Sequence, residues 1–108
     1  MIRIYLDIIP KLPPGVFIHI HDVFLPYLYL RDALQGVFGW QETALLLALL
    51  TNNHRMSTLT CLSALHYDRP KELASLLTDY RPQANDEGLC TQYPPDGHFP
   101  SSLWLRTQ

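Results

Sequence analysis

The chain has 108 residues, of which 47% are hydrophobic and 17% charged, with eight Lys and Arg against ten Asp and Glu for a formal charge of −2. This is the composition of one folded domain with enough apolar material for a core, and it excludes a disordered chain. The basic residues are scattered singly and no apolar run approaches the roughly 20 residues that cross a bilayer, so neither nucleic acid nor a membrane is an expected partner. The N-terminus shows neither a basic region nor a cleavage-like site, and a cytoplasmic location is expected. Cys61 and Cys90 lack CxxC spacing and make no disulfide framework, which fits a reducing compartment.

Taken in order, Ile2 to Leu12 places Ile4, Tyr5, Ile8, Ile9 and Leu12 on one helical stripe and Arg3, Asp7 and Lys11 opposite, so a helix is expected there. Pro13, Pro14 and Gly15 end it. Val16 to His21 follows as a β-branched and aromatic run with apolar residues on both faces, the pattern of a strand covered on both sides. A short helix is expected around Leu30 to Gln35. Gln41 to Leu50, QETALLLALL, is built of strong helix formers and predicts a buried helix, with Asn52 and Asn53 as terminators. Met56 to Ala64 alternates small polar and apolar residues and predicts a strand. Pro70 opens a helix with Leu73, Leu76, Leu77 and Tyr80 on its apolar face. Arg81 to Pro100 is rich in Pro and Gly and predicts a long loop, and Ser101 to Thr107 a closing strand.

The polar residues that end the first strand are the main functional candidates. His19 and His21, two apart on a strand, project to one face, and Asp22 follows where the strand stops. In open α/β sheets the carboxyl end of a strand is where ligands bind. His21 is a candidate general base, since imidazole titrates near neutrality, and His21 and Asp22 are candidate ligands for a divalent metal. The plainer roles are a turn cap for Asp22 and a hydrogen-bonded core position for His19. A zinc site from His19, His21 and Asp22 lacks an evident further ligand, although His54, His66 and His98 exist. Glu42 complements the dipole of its helix, and Trp40 and Trp104 are expected as packing anchors.

Three pieces of this chain resemble a known family. The run PxLxPGVxxHIHDxFLP at Pro10 to Pro26, the Trp-x-Glu opening the Leu-rich helix at Trp40 to Leu50, and the terminal Ser-Ser-Leu-Trp-Leu together look like the C-terminal half of bacterial class I S-adenosylmethionine-dependent methyltransferases. That resemblance implies a Rossmann-like α/β fold, with Val16 to His21 as the fifth strand, Met56 to Ala64 as the sixth and Ser101 to Thr107 as the seventh, antiparallel one. The pattern departs from the family at Tyr27 to Leu30, where an acidic residue and a proline are usual, and at Gln41, where Asn is usual. The glycine-rich turn and the acidic strand end that hold S-adenosylmethionine in that fold have no counterpart, because no GxG occurs.

The expected architecture is therefore a truncated Rossmann-like methyltransferase half in one domain over residues 1–108. Its three strands form a small mixed sheet with the last strand between the other two, flanked by helices. Two functions compete: a methyltransferase portion that is inactive alone and needs a partner carrying the cofactor-binding half, and a non-catalytic module that associates with itself. Both leave the strand at Val16 to His21 as an unprotected edge. A homodimer with an apolar interface including Ile4, Ile8, Phe17 and Ile18 is expected.

Overall fold

The computed structural model describes residues 3–31, 34, 42–83 and 100–108. Three strands, β1 (Phe17–Ile20), β2 (Met56–Cys61) and β3 (Leu103–Thr107), form an open sheet in the order β1-β3-β2. The last strand lies in the middle, as expected. Both of its pairings are antiparallel, so β1 and β2 run the same way without touching, and the expected mixed sheet is corrected to one with antiparallel ladders only among the described residues. A parallel ladder needs two strands of like direction side by side, and β3 separates them.

The central strand shows why the sheet has an inside. Leu103, Leu105 and Thr107 are buried while Trp104 and Arg106 are exposed, the period-two alternation of a strand with one covered face. Leu103 and Leu105 join Tyr5, Ile9, Val23 and Leu46 in one core cluster, against which Ile18, Ile20, Leu45, Leu49 and Met56 pack. The N-terminal helical segment and helix α1 (Glu42–Leu50) thus cover one face of the sheet.

Thr107 fastens the turn that leads into β1. Its Oγ1 accepts the Val16 N–H at 2.8 Å and lies 2.7 Å from the Pro13 carbonyl, to which it donates. Gly15, at φ 89°, donates its N–H to the Thr107 carbonyl at 2.9 Å. A left-handed backbone angle there is what glycine accommodates at least cost.

Several expected elements differ in extent. The helix at Ile2 to Leu12 is a wide turn over Ile4–Ile8, in which Ile9 N–H reaches back to the Ile4 carbonyl, followed by a tight turn over Ile9–Lys11. Pro10 supplies the reason: it has no N–H to donate and its ring crowds the carbonyl four residues earlier. Tyr5 and Ile9 are buried from the expected stripe, whereas Ile4 and Ile8 are about half exposed. β1 is not covered on both sides, since Phe17 is 63% exposed and His19 is exposed.

The strand expected to Ala64 ends at Cys61, and Leu62 opens helix α2 (Leu62–Asp68). Helix α3 (Pro70–Leu76) begins at the expected proline but stops before Tyr80; Leu73 is buried, while Leu76 and Leu77 are exposed. Asn52, at φ 55°, terminates the region after α1 as expected. Half of the Leu30 to Gln35 segment and most of the Arg81 to Pro100 loop, together with Trp40, Gln41, Cys90 and His98, lie outside the described residues.

Candidate functional site

The end of β1 is held from below by apolar residues and from the side by α1. Val23 and Phe24, the first residues after Asp22, are buried at 0% and 2% exposure, and Val23 N–H bonds the Ser101 carbonyl at 2.9 Å. Burial of these two anchors leaves Asp22 as the pivot, and it takes φ 59° to turn the chain inward. Thr43, buried in the first turn of α1, places its hydroxyl 3.5 Å from the Asp22 carbonyl. The same turn carries Glu42 towards the site.

Two of the expected site residues meet directly. His21 Nδ1 lies 2.9 Å from Asp22 Oδ2, with the imidazole largely exposed and the carboxylate about one-third exposed. An ionised carboxylate only accepts, so in this pair the Nδ1 carries the proton and donates, leaving Nε2 open to solutes. The pair is suited to proton transfer at the surface. His19 stands apart from it. Its ring stacks on Trp104 at 4.4 Å between centroids and its Nε2 is 3.2 Å from Ser102 Oγ, on the exposed face of the sheet. It is hydrogen-bonded as expected, but it is not a core histidine. Trp104, expected as a packing anchor, is likewise 40% exposed, because it occupies an outward position of β3.

A cavity of about 300 Å³ lies beside the pair. Ile4, Tyr5, Ile9, Ile18 and Ile20 make its apolar lining, and His19, His21, Asp22 and Glu42 its polar part. Ile18, His19 and Ile20 project alternately to opposite faces of the sheet, yet all three line the cavity, so it runs along the edge of β1 that faces away from β3. Tyr5, buried at 5% exposure, has its phenol pushed above the ordinary range by burial first and by the Glu42 carboxylate second. Neither Tyr5 nor Thr43 was a candidate from sequence. Tyr5 reads as one more member of an apolar stripe, and Thr43 as an ordinary first-turn residue.

Ion binding has thin support from the side chains alone. Among the described residues no three of His, Cys, Asp and Glu gather into a group that could hold a metal. Asp22 and His21 would supply two ligands and need others from elsewhere. His66, buried at 5% exposure, belongs to a different part of the molecule, where its Nδ1 meets the Tyr80 hydroxyl. No protein-family model, no curated protein and no solved structure matches this chain.

Proposed function

We propose that the chain is the C-terminal, acceptor-side portion of a fold of the class I S-adenosylmethionine-dependent methyltransferase type, inactive alone and completed by a partner that brings the cofactor-binding half. The observation that supports this reading is the strand order. The last strand runs antiparallel between the other two, which is the arrangement that the resemblance of Pro10 to Pro26 and of the terminal Ser-Ser-Leu-Trp-Leu implies for fifth, seventh and sixth strands. The edge of β1 away from β3, which has no strand beside it among the described residues, suits it too, since the remaining strands would continue the sheet from there.

The residues present do not fit the cofactor by themselves. A backbone able to approach S-adenosylmethionine needs a glycine-rich turn, and a carboxylate must end a second strand to hold the ribose; the chain has no GxG. Its own contribution is one wall of a site. The apolar lining beside Ile18 and Ile20 receives the body of an acceptor, and His21 with Asp22 accepts or returns a proton at the rim. A divalent cation held by Asp22 and His21 would require the partner's ligands as well.

The self-associating, non-catalytic module is the second reading, favoured by the half-exposed Ile4 and Ile8 and the exposed Phe17 beside an open edge. Calorimetric titration tests the first. The isolated chain is expected to show no binding of S-adenosylmethionine at millimolar concentration, and mixing with the cofactor-binding half of an enzyme of this type, deleted after its fourth strand, is expected to restore it. Micromolar binding by the chain alone, or no binding by the mixture, overturns the proposal.

A further inference from the structure

We infer that β1 pairs antiparallel with β1 of a second copy across a two-fold axis centred on Ile18, joining two sheets into one. The inference rests on the reading of the β1 edge as a docking site and not on methyl transfer. It begins from the direction of backbone groups. Val16 turns both of its groups towards β3, its N–H to Thr107 Oγ1 at 2.8 Å and its carbonyl to Thr107 N–H at 3.0 Å. Antiparallel ladders alternate, so Ile18 and Ile20, opposite Leu105 and Leu103, also bond inward, while Phe17 and His19 turn their N–H and carbonyl groups away from β3.

These outward groups have no strand beside them among the described residues, because β1 pairs only with β3. Directional donors and acceptors in a row bind water when exposed and are a ready template for another strand. A two-fold axis at Ile18 sets Phe17 of each copy opposite His19 of the other, and each such pair exchanges both hydrogen bonds. The register leaves none of the outward groups unsatisfied.

The side chains agree with it. Ile18 meets Ile18 of the second copy as a non-hydrogen-bonded pair, the closer kind, with its side chain on the same face as the core. Phe17, 63% exposed, lies beside the second copy's His19 on the opposite face as a cross-strand aromatic pair. The cavity along the edge, with Ile4 over it, is the trough that the added strand occupies.

Symmetry and composition point to a second copy: one two-fold axis pairs the outward groups of both strands. Leu12 to Ile20 contains no Lys, Arg, Asp or Glu, so nothing repels an identical strand and no edge lysine blocks it.

Cysteine substitution reads the register. In a Cys61→Ser, Cys90→Ser background, Ile18→Cys is expected to oxidise to a covalent dimer, since non-hydrogen-bonded partners stand about 4.5 Å apart at Cα. Phe17→Cys alone, whose neighbour is His19, is expected to cross-link at least ten-fold more slowly. Light scattering of the unmodified chain at tens of micromolar should show a dimer, and Phe17→Glu, at an exposed position, should give a folded monomer by circular dichroism. A monomeric unmodified chain, a dimer in which Ile18→Cys does not cross-link, or equal cross-linking at both positions overturns the inference. A second copy and a completing half compete for this one edge, but the three outcomes are read on the chain alone, without cofactor or partner, so failure here and failure of the methyltransferase reading are separable.

Discussion

Asp22 occupies the left-handed region at φ 59°, which short polar residues tolerate and β-branched residues do not. Its neighbours leave it no other choice, because Val23 and Phe24 are buried and Val23 N–H is tied to Ser101. Asp22→Gly is therefore expected to hold stability within about 0.5 kcal/mol, and Asp22→Val to lose about 1–2 kcal/mol, the cost of a left-handed angle for a branched L-residue. Urea unfolding of the two variants checks this; equal midpoints would show that the turn is not made at Asp22. The same turn explains what could be read at the site from sequence. The spacing of His19 and His21 put both rings on one face, which holds only while the chain is extended. β1 stops at Ile20, so His21 is re-aimed to Asp22 while His19 stays on the exposed face with Trp104. The position of the polar cluster at a strand end was legible, and the pairing within it was not.

Helix α2 meets the turn that follows α3 through a pair of polar side chains that no periodicity announces. His66 is 5% exposed and its Nδ1 bonds the Tyr80 hydroxyl, with the Tyr67 ring edge-on at 4.8 Å. Burial holds the His66 imidazole below its ordinary pKa, and burial, then the nearby Tyr67, push the Tyr80 phenol up to about 12. In the folded chain the neutral imidazole shares a hydrogen bond with the Tyr80 hydroxyl through Nδ1, and burial disfavours its protonated form. The unfolded chain binds the proton first as pH falls. The stabilisation is thus complete above the unfolded value near 6.5 and is lost as pH drops from there through the lowered folded value. A lower melting temperature is expected at about pH 5 than at about pH 7.5, with His66→Gln flattening part of that dependence. An unchanged slope in His66→Gln would remove His66 as the cause. The α2 helix itself was hidden because the alternation of Met56 to Cys61 continues plausibly into Leu62 to Ala64. β2 ends where its partner does: Cys61 pairs with Leu103, the first residue of β3, and Leu62 N–H bonds the Ser102 carbonyl just before it, a tertiary event.

At the scale of the whole molecule, the N-terminal helical segment and α1 lie on one face of the sheet and the other face carries Phe17, His19, Trp104 and Arg106, with the Arg106 guanidinium 5.6 Å over the Phe17 ring. Strand identities were legible, since each apolar run is short and bounded by turn residues, while the expected order came from the family resemblance. Coverage was not: hydrophobic residues on both faces of Val16 to His21 and a Trp in the last strand suggested burial on both sides. Which face is covered depends on elements far away in the chain. This asymmetry makes a quantitative contrast between adjacent residues of one strand. Leu105 is 0% exposed in the core cluster, and Leu105→Ala should cost about 2–5 kcal/mol through lost burial and a cavity. Trp104, larger but 40% exposed, stacks on one side of His19, and Trp104→Ala should cost no more than about 1–1.5 kcal/mol, its solvated area contributing nothing. Size alone would rank the two the other way. Equilibrium denaturation at low protein concentration decides it: a Trp104→Ala loss equal to or above that of Leu105→Ala would mean that a further layer covers the outer face, and the sheet would have to be redrawn with two buried sides.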